Sequence, residues 1–294
     1  MIKSHAKINL HLEVLNRRSD NYHNIFSLMA ELDLHDLLKL EYSDLSRKSG
    51  DVIVEINSNG GEFSSLIDDI PADKNLISIA VKSYMKSIGL GGHFVFSLTK
   101  NIPSGAGLGG GSSNAAAALK IVSETLHRGV DDCLFDAASA AGSDVPFFIK
   151  GGFAFAEGRG EFLYNSDFND KSFVLLVNNG IHVNTGLAYK SLNKPVSDLM
   201  IGCEDKRKII ENLISGKYQW KTHFFNDFEP VVFELYPQIG VIKDKMYDNG
   251  AFFSAMSGSG STIFGLFDSR ETAEKGRKSL ETEGNRVYLT KFRS

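Results

Sequence analysis

Pro103-Ser104-Gly105-Ala106-Gly107-Leu108-Gly109-Gly110-Gly111-Ser112-Ser113-Asn114 holds five glycines between Gly105 and Gly111 and runs straight into Ala115-Ala116-Ala117-Ala118-Leu119. Glycine admits positive φ and lets the backbone come close to a ligand. The helix expected from the alanine run presents unpaired N–H groups and about half a positive charge at its N-terminus, so the loop reads as a grip for phosphate. His93 to Leu98 alternates like a strand and leads into it. A flexible linker is the bland alternative, but linkers are seldom bracketed by a strand and an alanine-rich helix.

Three phosphate motifs compete for the loop. Gly105-x-Gly107-x-x-Gly110 has dinucleotide-binding spacing, but that motif needs a second strand with an acidic residue about 20 positions on. Val130 to Asp136 instead reads as more helix. A Walker loop ends in Gly-Lys-Ser/Thr, and no lysine lies between Lys100 and Lys120. What remains is a lysine-free phosphate loop whose helix is opened by Ser112 and Ser113. Serine is a favoured N-cap, and its hydroxyl can also face a phosphate or a magnesium ion.

A chain of 294 residues fits about two domains, and 42% hydrophobic with 23% charged residues is ordinary for a soluble globular protein. A net charge of −4 gives no basic footprint for nucleic acid or an anionic membrane. Cys133 and Cys203, far apart, suggest neither a disulfide framework nor a thiolate zinc site, and a reducing cytoplasm fits them. The eight histidines show no paired-ligand spacing, so no structural metal site is expected. No apolar run approaches the ~20 residues that span a bilayer, and the N-terminus lacks the unbroken apolar region of a secretory signal. The expectation is a cytosolic, unanchored protein.

Around the loop, His5 to Leu15 alternates with period two. Ala6, Ile8, Leu10, Leu12 and Val14 share one face and Lys7, Asn9 and His11 the other, the pattern of a half-buried strand. Asn16 to Asn21 reads as a turn, and Ile25–Leu34 and Leu37–Tyr42 as two strands broken at His35-Asp36. A strand is expected at Asp51–Ile56 and a helix capped by Asn75. Another helix is expected at Leu134–Ala141, with Ser143 to Phe148 as a turn into a further element. Gly151-Gly152 is the expected seam between domains. Beyond it, strands are expected at Phe173–Val177, Thr262–Phe267 and Val287–Phe292. Helices are expected at Thr185–Leu192, Lys206–Leu213, Pro237–Asp248 and from Glu271 to position 283. The mixture indicates an α+β class.

Lys7, the 103–113 loop, Asp144 and the second glycine loop Ser257-Gly258-Ser259-Gly260-Ser261 need a common explanation. The set resembles the galactokinase, homoserine kinase, mevalonate kinase and phosphomevalonate kinase (GHMP) superfamily. Within it the chain is most similar to the 4-diphosphocytidyl-2-C-methyl-D-erythritol kinase family of the non-mevalonate isoprenoid pathway. The resemblance rests on Ala6-Lys-Ile-Asn-Leu10, Tyr22-His23, Gly107 to Ala116, Asp144-Val-Pro-Phe-Phe148, Phe155-Ala-Glu-Gly158, Asn226-Asp-Phe-Glu229 and Ser257 to Gly260. One departure stands out: the family usually has glycine where Asn21 precedes Tyr22-His23. Asparagine tolerates the left-handed region better than other non-glycine residues, so the turn is expected to survive.

The resemblance implies a two-lobed GHMP kinase fold. An ATP-binding lobe of the ribosomal protein S5 domain 2 type would span 1–152, and a ferredoxin-like substrate lobe 153–294. It implies ATP-dependent phosphorylation of the C2 hydroxyl of the cytidylyl-linked methylerythritol. Asp144 would be the base and Lys7 its charged neighbour. Pro103, Gly105, Gly107, Leu108, Gly109, Gly110, Gly111, Ser112 and Ser113 would cradle ATP, with Mg2+ completing the clamp. Tyr22 and Tyr189 would flank the cytosine ring and His23 would meet its edge. Asn9 and Asp144 would meet the methylerythritol hydroxyls, with Gly258, Ser259 and Gly260 also on the substrate side. The implied partner is a small molecule, bound by a monomer or weak homodimer. Against this stand three alternatives. A homoserine- or mevalonate-type kinase would have no ring for Tyr22 to stack on. A non-catalytic nucleotide binder would have no use for both Lys7 and Asp144. An oxidoreductase would need to bind NAD at the loop.

Overall fold

In the computed structural model of the protein, residues 1–68, 70–71, 73–199, 202–282 and 284–293 are described. The chain divides into two compact units. The first takes Met1–Ala6, Leu34–Ser104 and Gly109–Gly151, and the second takes Lys7–Asp33, Gly105–Leu108 and the chain from Gly152 on. The last passage from one unit to the other therefore falls at Gly151-Gly152. Two strands, β1 (Ile2–Arg17) and β2 (His23–Asp44), contribute to both units.

In the first unit, β3 (Val52–Ser58) and β4 (Gly92–Thr99) pair in parallel, as a strand-helix-strand crossover requires. The link between them carries a short α1 (Ser65–Asp68) and α2 (Leu76–Ser87). Asn75 caps α2, its Oδ1 accepting the Ile77 N–H at 3.0 Å. β4 also pairs antiparallel with Leu37–Asp44 of β2. Three helices follow: α3 (Gly110–Thr125), α4 (Asp132–Ala141) and α5 (Val145–Lys150). α2 packs on α3 and α4, and α5 on α3 and α4. The run Ala115 to Ala118 is buried on α3, where small side chains let helices approach closely.

In the second unit, Ile25–Ala30 of β2 pairs antiparallel with β5 (Phe153–Gly158), which pairs in turn with β6 (Phe162–Asn165). A separate antiparallel sheet has the order β10-β7-β9-β8, built from β7 (Phe173–Asn178), β8 (Phe253–Met256), β9 (Ile263–Phe267) and β10 (Arg286–Lys291). Between β7 and β8 run α6 (Thr185–Ser191), α7 (Glu204–Ile214), α8 (Trp220–His223), α9 (Glu229–Leu235) and α10 (Pro237–Asp248). α11 (Arg270–Leu280) links β9 to β10, and it packs with α10 on the sheet. Leu175, Val177, Ile239, Ile242, Met246, Ile263 and Phe267 share that core with Leu12 and Val14 of β1. The mixed class expected from the sequence is the one observed.

Three expectations are corrected. β1 is buried on both faces: Lys7 is 3% exposed and Asn9 and His11 4% each, because the polar face is covered rather than solvated. β2 is one strand through His35-Asp36. Asp36 is fully buried and does not turn the chain. Its carboxylate accepts the N–H groups of Asn101 at 2.7 Å and Ile102 at 2.8 Å and pairs with Lys100. The serines do not cap α3, which starts earlier, at Gly110. Its N-cap is Gly109 in the left-handed region at φ 69°, a conformation that costs serine more than glycine. The short strands β5, β6 and β8 escaped the sequence reading. α11 ends at Leu280, and position 283, where that helix was expected to end, lies outside the described residues.

Candidate active site

Within the second unit, residues 105–108 of the glycine loop meet the hairpin loop that joins β8 to β9. Ser257 and Thr262 close that hairpin through the Ser257 N–H and the Thr262 carbonyl at 2.9 Å. Gly258 and Gly260 supply its positive φ values of 57° and 95°. The Ser257 hydroxyl donates to the Gly107 carbonyl at 2.8 Å, and the Thr262 N–H to the Ala106 carbonyl at 3.3 Å. Gly107 has φ 81°, and a Cβ there would run into the Ser257 carbonyl oxygen. Two glycine segments 150 residues apart thus lock together backbone against backbone, which side chains at those positions would prevent.

Strand β1 brings its polar residues to the same place. The Lys7 N–H donates to the Leu108 carbonyl at 3.0 Å. Lys7 Nζ donates to Asn9 Oδ1 at 2.6 Å, and the same oxygen accepts the Gly258 N–H at 3.0 Å. Asn9 Nδ2 donates to Ser27 Oγ at 2.8 Å, which passes its own proton to the His11 carbonyl at 2.7 Å. A solvated lysine on a strand's polar face is the ordinary expectation. Burial of Lys7 inside a hydrogen-bonded chain removes it. Thr185 Oγ1 lies 2.8 Å from Ser259 Oγ, joining the start of α6 to the hairpin loop.

Tyr22, His23 and Tyr189 also belong to this unit. Asn21 is in the left-handed region at φ 68°, so the turn keeps the geometry that glycine would give it. Tyr22 projects with 53% exposure, and the Arg159 guanidinium lies 4.8 Å from its ring centroid. His23 stacks on Tyr189 at 4.7 Å and 29°, and Tyr189 meets Phe228 edge-on at 4.7 Å. Burial, with Arg17 and Lys194 nearby, holds the His23 pKa below its ordinary value. The shift favours the neutral imidazole, which offers one donor and one acceptor.

In the first unit, α3 presents its first turn without a capping side chain. Gly111 is exposed, Ser112 partly so, and Ser113 buried. Beneath this turn the Ser4 hydroxyl donates to Ser113 Oγ at 2.9 Å, and Asn114 Nδ2 reaches Ser4 Oγ at 2.7 Å and Asp36 Oδ2 at 2.9 Å. Lys100 Nζ lies so close under Gly110 that a Cβ there would sit 2.8 Å from it. Burial pulls the Lys100 pKa down, and the Asp36 carboxylate opposes that shift. Asp36, Lys100 and Asn114 were not anticipated from sequence. The local pattern reads Asp36 as a strand break, and nothing in it marks Lys100, three residues ahead of the loop, as that loop's support. Asp144 is half-buried at the N-cap position of α5, and its carboxylate makes no capping hydrogen bond. Pro103 is buried in this unit; in the second unit Leu108 is buried and Gly105 is exposed beside the His182 ring.

The comparisons with known proteins agree on the family. The model described as GHMP kinases N terminal domain matches residues 75–152, and GHMP kinases C terminal matches residues 210–286. The 4-diphosphocytidyl-2-C-methyl-D-erythritol kinase of Chlorobium phaeobacteroides is 34% identical over 297 residues, covering 98% of this chain and 94% of that one. That of Bacteroides fragilis is 36% identical over 276 residues, 92% and 93% of the two chains. A crystal structure of 4-(cytidine 5'-diphospho)-2C-methyl-D-erythritol kinase superposes with TM-score 0.76 at 29% identity, over 100% of this chain and 99% of its own. Homoserine kinase from Cytophaga hutchinsonii, at 20% identity and TM-score 0.65 over 97% and 95%, shares the fold. The loops at 105–111 and 257–260, buried Lys7 and this agreement along the whole chain lead to one conclusion: the chain belongs to the 4-diphosphocytidyl-2-C-methyl-D-erythritol kinase family of the GHMP kinases.

Proposed function

We propose that this kinase transfers the γ-phosphoryl group of ATP to the C2 hydroxyl of 4-diphosphocytidyl-2-C-methyl-D-erythritol, giving the 2-phosphate and ADP. The observation that carries the reading is Lys7: 3% exposed and hydrogen-bonded to the asparagine that also holds the Gly258 N–H. A buried ammonium fixed between two glycine loops suits a reaction in which the protein mainly positions its partners and stabilises phosphoryl charge.

Asp144 takes the proton from the substrate hydroxyl. It stands at the N-cap position of α5, half-buried, where a carboxylate can meet a substrate hydroxyl. The 105–113 backbone and the uncapped first turn of α3 hold the ATP phosphates, with Pro103 shaping the entry. Among the described residues no group of three or more His, Cys, Asp or Glu could hold a metal. Mg2+ would be carried largely by the phosphates, with the Ser112 hydroxyl as a protein oxygen. Bound there, it would neutralise charge on the phosphates. Tyr22 and Tyr189 stack on the cytosine, His23 meets its edge, and Asn9 with the Gly258-Ser259-Gly260 loop meets the methylerythritol end. The ATP lobe corresponds to 1–152 and the substrate lobe to 153–294.

No helix among the described residues is long and apolar enough to cross a membrane, and Cys133 and Cys203 are both free thiols. The free thiols suit a reducing compartment, and the proposal is a cytoplasmic enzyme acting on a small molecule, as a monomer or weak homodimer without nucleic-acid or membrane partners. The test is ADP release from ATP and magnesium with the purified protein, offering the cytidylyl substrate, mevalonate or homoserine. Turnover with the cytidylyl substrate alone is expected. Preference for another alcohol would overturn the assignment of Tyr22 and His23.

A further inference from the structure

We propose that Arg159 is a positioning residue for the base: its guanidinium covers one face of the Tyr22 ring and orders that ring, so the cytosine of the substrate stacks on the opposite face. The inference rests on the reading of Tyr22 as a base platform.

Tyr22 needs such a support. Its ring is 53% exposed on a turn, and an exposed aromatic side chain samples several rotamers, each a poor surface for stacking. Its backbone is already fixed. The Tyr22 N–H donates to Asp20 Oδ1 at 3.0 Å, the Tyr22 carbonyl accepts the Arg18 N–H at 2.7 Å, and Asn21 between them holds its left-handed φ. Only the ring torsions are left to set, and the guanidinium 4.8 Å from the ring centroid sets them.

Arg159 is itself held. It stands in the turn that follows β5, closed by the Gly160 N–H on the Glu157 carbonyl at 3.0 Å and flanked by Gly158 at φ 67° and Gly160 at φ 116°. Glu161 grips it twice: Oε2 accepts the Arg159 N–H at 2.5 Å, and Oε1 lies 3.5 Å from the Arg159 Nε. The sheet register explains why the two meet. Ile25 of β2 pairs with Gly158 of β5, so Tyr22 and Arg159 leave the same end of one antiparallel ladder from adjacent strands. A planar guanidinium suits the task because it stacks on an aromatic face, which a lysine ammonium does not do as a plane.

The experiment compares Arg159→Ala, Arg159→Lys, Tyr22→Ala and the double variant Arg159→Ala/Tyr22→Ala in steady-state assays, with thermal melts to confirm folding. Arg159→Ala is expected to raise the KM for the cytidylyl substrate about two- to five-fold, leaving the KM for ATP and kcat unchanged. Arg159→Lys is expected to recover part of that loss. In the Tyr22→Ala background, loss of Arg159 is expected to add nothing, because the ring it orders is gone. Should the two losses multiply, or should Arg159→Ala leave the KM unchanged while Tyr22→Ala raises it, the positioning role is overturned and the base platform stands. An unchanged KM in Tyr22→Ala itself would overturn the platform and this inference together. If Arg159→Ala melts far below the parent, Arg159→Gln, which keeps the side-chain stem, carries the same comparison.

Discussion

Lys7 and Asn9, two residues apart on one face of β1, are joined by a 2.6 Å hydrogen bond, and the acceptor oxygen of Asn9 is shared with the Gly258 N–H. One side chain thereby ties a strand to a hairpin loop more than 240 residues away in sequence. Asn9→Ala removes the acceptor for both donors and the donor to Ser27. Each buried group left unsatisfied costs about 1–3 kcal/mol, so the variant is expected to melt at a lower temperature. Because Lys7 loses its anchor, kcat is expected to fall about tenfold or more. Wild-type kcat in a folded Asn9→Ala protein would disconnect this hydrogen bond from the chemistry.

Asp144 separates a chemical role from a structural one. A capping aspartate changed to alanine costs about 1 kcal/mol, whereas asparagine caps about as well as aspartate. Asp144 makes no such bond. In Asp144→Asn kcat is expected to fall on the order of 10²- to 10⁴-fold, with ATP affinity retained. Calorimetry with ATP beside single-turnover kinetics reads both quantities. Near-parent kcat in folded Asp144→Asn protein would remove Asp144 from the chemistry.

What the sequence made legible follows from what kinds of residue signal themselves locally. Asn75 ahead of an apolar periodic run reads as a cap and is one. The glycines of 105–111 announce a loop because only that composition permits it, and Gly105, Gly107 and Gly109 do adopt positive φ. Asp36 shows the opposite case. An aspartate after a histidine in a strand pattern looks like a break, yet it is buried and satisfied by Lys100, Asn101, Ile102 and Asn114, partners at least 64 residues away. Long-range satisfaction of a buried charge leaves no trace in a local window. The capping serines failed for a related reason: Gly109 can start the helix from a left-handed conformation that serine would resist, a competition that the run Gly-Gly-Gly-Ser-Ser does not reveal. Lys7 and Asp144 could be singled out only through the family resemblance, since neither spacing nor periodicity distinguishes them from ordinary surface residues.

Gly107 is the position where the loop tolerates least. Its φ of 81° and the Ser257 carbonyl beside it leave no room for a methyl group. Gly107→Ala is expected to push the two loops apart, breaking the Ser257 hydroxyl bond to the Gly107 carbonyl. The KM for ATP is expected to rise about tenfold or more, since the amides around it lose their common orientation. Gly111, exposed and lacking a positive φ, provides the contrast. In Gly111→Ala the new Cβ meets only Leu76, at 3.6 Å, so the fold is expected to survive, and any change in ATP binding reports on the ligand alone.

His11 gives the protein an acid limit. The ring is 4% exposed, packed edge-on against Phe26, Phe224 and Phe225, and burial holds its pKa down at about 4 against an ordinary 6.5. Lys206 adds to that depression, while Glu13 and Asp227 oppose it. As pH falls through 6.5 the unfolded chain takes up a proton that the native ring refuses until pH reaches about 4. The stability due to neutral His11 is thus fully present above 6.5 and is lost progressively down to about 4. Between pH 7.5 and 5 the loss from this group amounts to about 2 kcal/mol. Urea unfolding at both pH values, in the parent and in His11→Phe, isolates it. The variant, filling the same aromatic pocket without a titrating nitrogen, is expected to lose about 2 kcal/mol less on acidification. Parallel pH dependence in the two proteins would assign the acid sensitivity to other groups.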